Sequence, residues 1–232
     1  QGLGLYHFRT FFPGEKEPGV KYPAVIYLHG GGFNGDDNIC HLASTGYSQW
    51  MELAKSDQVS PFLLIAPQLA SGFFQWEECD CVQSVADYIK NTYPVDSHRI
   101  YLVGGSMGGM GVWSIANKNP HMFAALLSAA GVYPDMVLPS MKPIQEEEYA
   151  PILKAYAHHL KDVPAWVFHS EADTMAKIEV SNKLAEYMEE EGASQFHYTI
   201  LPKEMNVDHA GTCAYPINQP EIINWLFQQS IQ

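Results

Sequence analysis

The sequence predicts an α/β fold, with a mostly parallel central sheet, helices on both faces and a small insertion around residues 133–164. Three observations carry that expectation. Short β-rich apolar runs alternate with stretches of helical periodicity. Most of those runs lack polar alternation, as strands covered on both sides do. The chain has 232 residues, within the range of one such fold, and no repeat, low-complexity tract or linker splits it, so residues 1–232 are expected to form one domain.

Taken in chain order, residues 5–12 read as an outer strand. The five clearest buried strands follow at 24–28, 62–66, 100–103, 124–128 and 166–168. Residues 196–201 do alternate, which suits a strand nearer the edge. Between them, Val82, Val85, Ala86 and Ile89 recur at helical spacing behind Asp80 as N-cap. Val180, Leu184, Tyr187 and Met188 repeat the pattern until Gly192 stops it. A last helix is expected from Pro220, with Ile222, Ile223, Leu226 and Phe227 against the core. From Tyr133 to Pro164 no strand intervenes, and prolines at 134, 139, 143 and 151 punctuate the excursion. It reads either as a surface connection with one helix near 152–160 or as a small lid or pocket wall. The acidic run Glu146-Glu147-Glu148 within it reads as a solvated patch.

Composition narrows the function classes. Hydrophobic residues make up 47% and charged residues 17%, too apolar for a disordered chain. No run reaches the roughly 20 apolar residues that span a bilayer, so no membrane partner is expected. The first residues lack the basic and apolar regions of a signal peptide, and a start without Met suggests trimming, which leaves the compartment open between cytoplasm and exterior. Thirteen Lys and Arg against 26 Asp and Glu give a net charge of −13, a field that repels phosphate backbones, so nucleic acid is not expected as a partner. Cys40, Cys79, Cys81 and Cys213 match neither a zinc ribbon nor a redox Cys-x-x-Cys, and read as ordinary thiols or as two disulfides. Oligomeric state leaves no signal.

The strongest local motif is Gly104-Gly105-Ser106-Met107-Gly108, which fits G-x-S-x-G. It follows the buried run at 100–103 and opens a helical pattern through Met110, Val112, Trp113 and Ala116. A serine on such a sharp strand-to-helix turn projects its hydroxyl from the sheet edge, flanked by glycines that avoid clashes. The helix N-terminus places backbone N–H groups beside an oxygen that becomes negative. Ser106 is therefore the expected nucleophile. A second cluster, Leu28-His29-Gly30-Gly31-Gly32-Phe33, follows the first strong strand and supplies the other half of an oxyanion hole. The expected donors are the N–H of Met107 and one from Gly31 or Gly32.

After the nucleophile the expected order is carboxylate and then histidine. Asp173 sits just past the strand at 166–168, at the functional edge of a parallel sheet, and Glu171 is its rival. His209, in Asp208-His209-Ala210-Gly211, follows the strand at 196–201. His197 is the only other histidine after Asp173 and lies within that strand. His29 reads as a support for its loop, and His158 and His159 point to different helix faces. No zinc spacing such as H-E-x-x-H occurs, so neither metal nor cofactor is expected.

Several segments together resemble bacterial α/β-hydrolase esterases. They are Leu28-His29-Gly30-Gly31-Gly32, Gly35-Asp36-Asp37-Asn38, Ala66-Pro67-Gln68, His98-Arg99-Ile100-Tyr101, Gly105-Ser106-Met107-Gly108-Gly109 and Trp166-Val167-Phe168-His169. The group resembled joins polyhydroxybutyrate-depolymerase-like proteins with feruloyl and acetyl-xylan esterases of carbohydrate esterase family one. The resemblance covers nearly the whole chain and implies an α/β-hydrolase fold with Ser106, Asp173 and His209 as the triad. Two departures bear on the substrate: the excursion at 133–164 looks longer than in the simplest members, and Phe33 stands where many related loops are polar.

The expected function is hydrolysis of carboxylic esters by acyl transfer, on a small-molecule or carbohydrate-linked ester, with feruloyl and acetyl esters of plant carbohydrate as candidates. Phe33 and Trp76 are the candidate pocket residues, with Phe73 and Phe74 beside Trp76. Core packing is the competing role for the aromatics at 73–76. One rival is a peptidase resembling the catalytic domain of prolyl oligopeptidases, which usually accompanies a propeller for which 232 residues leave no room. The other is an inactive binding protein on the same fold.

Overall fold

The computed structural model describes residues 7–15, 17–70, 81–133 and 145–231. Seven strands form one sheet: β1 (His7–Phe11), β2 (Tyr22–Leu28), β3 (Leu63–Gln68), β4 (Val95–Gly105), β5 (Ala125–Ala129), β6 (Ala165–Ser170) and β7 (Phe196–Leu201), in the spatial order β1-β3-β2-β4-β5-β6-β7. Only the outer pair, β1 with β3, is antiparallel; every other pairing is parallel. The chain runs outward from β2 to β3, then returns across β2 to β4 and continues to β7. That reversal opens a crevice beyond the carboxyl ends of β2 and β4, where open α/β sheets bind ligands.

Alternation along the inner strands divides the core in two. On β2 and β4, Ala24, Ile26, Leu28, Ile100 and Leu102 enter one apolar cluster. Val25, Tyr27, Tyr101 and Val103 enter the other. The first is covered by α2 (Cys81–Thr92), α3 (Met107–Lys118), α4 (Glu146–Leu160) and α5 (Ile178–Glu190). The second is covered by α1 (Thr45–Lys55) and α7 (Pro220–Gln228). This is the mostly parallel sheet, covered on both faces, that the apolar runs predict. No helix among the described residues is long and apolar enough to cross a membrane.

Several boundaries differ from the sequence expectation for identifiable reasons. Helix α1 is absent from the sequence reading, although Ser44 caps it and Tyr47, Trp50, Leu53 and Ala54 are buried. Gly46, Ser48 and Gln49 dilute its apolar stripe. Helix α4 begins six residues before the expected 152, because a Gln145–Glu148 capping box starts it and Pro151 lies near enough to its start to be accommodated. The acidic run Glu146-Glu147-Glu148 forms its first turn, where negative charge suits the helix dipole. Between β7 and α7 lies a further short helix, α6 (His209–Ala214), capped by Asp208, whose side chain accepts the Gly211 N–H at 2.8 Å. Gly192 follows α5 at φ +73°, where glycine is favoured. Cys40 and Cys213 are free thiols. Cys79, the N-cap assigned to Asp80, the aromatics Phe73, Phe74 and Trp76, and residues 134–144 of the excursion lie outside the described residues. The excursion's described helix packs Tyr149, Leu153, Tyr156 and Leu160 into the α2–α5 side of the core.

Candidate active site

Ser106 stands between β4 and α3 with φ 56° and ψ −125°, a backbone conformation that non-glycine residues rarely adopt. Such a conformation costs on the order of 1–3 kcal/mol and persists where the surroundings hold it. Here the Ser106 N–H donates to the Ala129 carbonyl at 2.8 Å, and the Ser106 carbonyl accepts from Met110 N–H at 3.0 Å. Gly108 allows the turn to lie on the β2 strand end. A Cβ there would come within 2.7 Å of the Leu28 carbonyl carbon and 2.9 Å of the His29 carbonyl oxygen.

The structure brings Ser106, His209 and Asp173 together. His209 Nε2 lies 2.8 Å from Ser106 Oγ, and its Nδ1 lies 2.7 Å from Asp173 Oδ2. The Asp173 carboxylate is fully buried and the His209 side chain is 11% exposed, so the contact is shielded from water. An ionised carboxylate only accepts, so Nδ1 carries the hydrogen and Nε2 of the neutral ring accepts the Ser106 hydroxyl proton. The other carboxylate oxygen, Oδ1, accepts from Met175 N–H at 2.8 Å and Ala176 N–H at 3.0 Å. Burial alone would raise the Asp173 carboxyl, but contacts with the His169 and His209 rings and the Ala176 N–H override it and hold the group well below the usual carboxylate range. His169 is itself wholly buried, with Nε2 3.3 Å from the Ala176 carbonyl and 3.5 Å from Asp173 Oδ2. Both are acceptors, so Nε2 carries the hydrogen, and in the neutral ring Nδ1 accepts from Ser181 Oγ at 2.7 Å.

The rival residues point elsewhere. Glu171 accepts from Lys203 N–H at 2.9 Å in an exposed contact just past the end of β6. His197 packs its ring against Trp166 and Trp225, with centroids 4.9 and 5.6 Å away. His158 faces Glu191 and His159 faces Asn117.

The glycine loop after β2 is tied down by His29. Leu69 N–H donates to its Nε2 at 3.1 Å, so Nδ1 carries the hydrogen and donates to the Gly30 carbonyl at 2.8 Å. Burial pushes the imidazole down to about 4, so it stays neutral in this role. Gly31, Phe33 and Met107 line a cavity of about 320 Å³ that opens at Ser106 and His209. Met107 is the first residue of α3, and N–H groups of a first turn have no partner within their helix. Gly32 takes φ +86° and is not among the lining residues. Among the described residues no group of three or more His, Cys, Asp and Glu could hold a metal ion.

The sequence reading missed most of this cavity. Tyr27, Trp50, Met175, Cys213 and Ile217 also line it. Cys213 follows His209 by four residues and so shares its helix face, but a six-residue helix is too short for periodicity to reveal. Burial, with the Asp173 carboxylate adding to it, pushes the Cys213 thiol up to about 12, so it stays protonated beside Ser106.

Comparison with known proteins bears on the same residues. The prolyl oligopeptidase family model matches residues 75–212. A bifunctional acetylxylan esterase/xylanase of Neocallimastix patriciarum is 27% identical over 136 residues, 56% of this chain and 18% of that protein. Dipeptidyl-peptidase 5 of Porphyromonas gingivalis is 29% identical over 135 residues, 52% of this chain and again 18% of that protein. The chain thus spans about a fifth of the length of these curated relatives. Among solved structures, a thermostable esterase superposes with a TM-score of 0.71 at 27% identity, covering 96% of this chain and 59% of the other.

Proposed function

The chain belongs to the prolyl oligopeptidase family and is a serine hydrolase of the α/β-hydrolase type, and we propose that it hydrolyses carboxylic esters through an acyl-enzyme. The observation that carries this reading is the unbroken line from the Ser106 hydroxyl through His209 to the buried Asp173, with contacts of 2.8 and 2.7 Å. In the proposed mechanism Ser106 attacks the ester carbonyl while His209 takes its proton. The developing oxyanion is met by the N–H of Met107 and a glycine N–H of the loop, with Gly31 the better placed because it lines the cavity. Asp173 holds the ring and stabilises the imidazolium, His209 then protonates the departing alcohol, and water releases the acid by the reverse sequence.

A peptidase reading is favoured by the family itself and by the dipeptidyl-peptidase relative. The cavity supports the ester reading instead. Capture of a peptide's free amino terminus calls for a carboxylate, and no Asp or Glu occurs among the described lining residues. Acetyl or feruloyl esters of plant carbohydrate are the substrate class proposed, supported by the sequence resemblance and by the name of the acetylxylan esterase relative. A panel of short-chain aryl esters, feruloyl sugars, acetylated xylan and aminoacyl-peptide amides tests the choice. Ester turnover far above amide turnover is expected, and dominant amide cleavage would reverse the assignment.

A further inference from the structure

Two sequence segments that take no part in the triad, Gly35-Asp36-Asp37-Asn38 and Ala66-Pro67-Gln68, meet beside the glycine loop. Gln68 closes β3 and is 5% exposed. Its Oε1 accepts the Asn38 N–H at 2.6 Å, and its Nε2 donates to Asp37 Oδ1 at 2.9 Å and to Cys40 Sγ at 3.0 Å. These partners fix the amide's orientation, because the flipped amide would set oxygen against carboxylate and N–H against N–H. Asp37 Oδ1 also accepts from the N–H groups of Ile39 and Cys40, at 2.9 and 3.0 Å. The Cys40 and Ile39 N–H groups, with Gln68, hold the Asp37 carboxyl well below the usual carboxylate range, so it remains an acceptor at working pH. Gly35 leaves room for the knot: a Cβ there would stand 2.9 Å from Gln68 Nε2 and 3.3 Å from Cys40 Sγ.

The knot reaches the glycine loop through the Cys40 thiol. Burial and the Asp37 charge push this thiol up, so it keeps its proton. Asp37 Oδ1 already has three donors, and the thiol donates to the Phe33 carbonyl at 3.1 Å, with the Asn34 carbonyl on the same side at 3.5 Å. Leu69, next to Gln68, grips the loop as well: its N–H donates to His29 Nε2 at 3.1 Å, and its carbonyl accepts the Gly35 N–H at 3.0 Å. The loop is thus held at His29 before its turn and at Phe33 after it. Between these grips stand Gly31 and Gly32, which have no side chains to hold them, so the turn takes its direction from its two ends. Gly31 and Phe33 line the cavity at Ser106, whereas Gln68 and Cys40 do not.

We propose that Gln68 and Cys40 are positioning residues of the oxyanion hole: by anchoring the Phe33 carbonyl they aim a glycine N–H at the oxygen that becomes negative when Ser106 attacks. The assignment rests on the oxyanion role proposed for this loop and names what holds it. An oxyanion donor acts only at hydrogen-bond distance from the transition-state oxygen, so a displaced loop costs rate and spares ground-state binding.

The test pairs Cys40→Ala, which deletes the donor to Phe33, with Cys40→Ser, which keeps one. With 4-nitrophenyl acetate, Cys40→Ala is expected to lower kcat by about tenfold with KM within about twofold, and Cys40→Ser to stay within about threefold of wild type. Gln68→Leu, which removes three contacts, should cost about 10²-fold in kcat. In every variant the acid limb of the pH profile should stay in place, because the triad is untouched. A trifluoromethyl ketone, whose Ser106 adduct carries the oxyanion, should bind more weakly by the factor that kcat/KM falls. Wild-type kcat in Cys40→Ala, a Cys40→Ser variant no better than Cys40→Ala, or a loss confined to KM or to the amount of folded protein overturns the role. If Gln68→Leu does not fold, the Cys40 pair decides. If wild type turns over no ester although a fluorophosphonate labels Ser106, the ester reading fails by itself. The rate of that labelling, which uses the same oxyanion donors, then decides the positioning role: about tenfold slower labelling of Cys40→Ala with rescue in Cys40→Ser supports it, and equal rates overturn it.

Discussion

Asp173→Asn tests the site by changing one atom's hydrogen-bonding sense. In the native protein Oδ1 accepts from the N–H groups of Met175 and Ala176 at 2.8 and 3.0 Å, and Oδ2 accepts from His209 at 2.7 Å. Asparagine has a single acceptor oxygen. Turning its NH2 toward the two backbone N–H groups would set donor against donor and leave the part-buried Ala176 N–H unpaired at about 1–3 kcal/mol, so the oxygen stays on the Met175 side. The NH2 then faces His209 Nδ1. Two donors cannot share that contact, so the imidazole hydrogen moves to Nε2, which now donates toward Ser106 and can no longer take its proton. A loss of about 10⁴ in kcat is expected, equivalent to about 5 kcal/mol of transition-state stabilisation. The assay is turnover of 4-nitrophenyl acetate, corrected for folded protein by near-ultraviolet circular dichroism. A loss under tenfold, or an equal loss in Glu171→Gln, would refute the reasoning. Stability adds a second readout with a definite sign. The native Asp173 carboxyl is held below its unfolded value of about 3.9, so its contribution is present at neutral pH and is lost as pH falls through its folded value. The stability gap between wild type and Asp173→Asn should therefore narrow on acidification below about pH 4.

Three further outcomes follow from particular contacts. His209→Gln should abolish rapid acylation in stopped flow from pH 5 to pH 8, on the order of 10³-fold or more, while His197→Gln, which alters only a ring packed on Trp166 and Trp225, should acylate within about threefold of wild type; the reverse pattern would exchange their roles. Gly108→Ala should destabilise by more than about 3 kcal/mol in urea titration or prevent folding, because the new methyl meets the backbone of Leu28 and His29 rather than a movable side chain. A loss under 1 kcal/mol would contradict that geometry. Ser181→Ala removes the donor that fixes the buried His169 ring and should lower stability by about 1–3 kcal/mol, with kcat changed less than tenfold. A larger loss of kcat at unchanged stability would give His169 a direct part in the chemistry.

Much of this arrangement is legible before any coordinates, because chain order and strand ends constrain it. Strands β2, β3, β5 and β6 announce themselves as short apolar runs, and Ser106 and Asp173 each follow the carboxyl end of such a run. Strand β4 begins five residues before the apolar run at 100, because Asp96, Ser97, His98 and Arg99 are polar and a register shift separates the Tyr22–Val95 pairing from the rest. Helix α1 escapes because its buried face is carried by few residues among weak helix formers. The cavity is illegible for a different reason. Tyr27, Trp50, Cys213 and Ile217 come from separate elements, and they converge only when α1 and α6 close over one face of the sheet. The Asx-type contacts around Asp173, made by its neighbours Met175 and Ala176, likewise depend on a turn after β6 that no apolar pattern marks.

The central claim is that Ser106 carries an acyl group during ester hydrolysis. Rapid-quench mass spectrometry of the protein mixed with excess 4-nitrophenyl acetate, followed by peptide mapping, tests it directly. One acetyl group on the peptide containing Ser106 is expected, formed within the burst of nitrophenol release, lost on standing, and absent in Ser106→Ala. Steady ester turnover without that adduct, or an adduct on Cys213 or another side chain that persists in Ser106→Ala, would contradict the account.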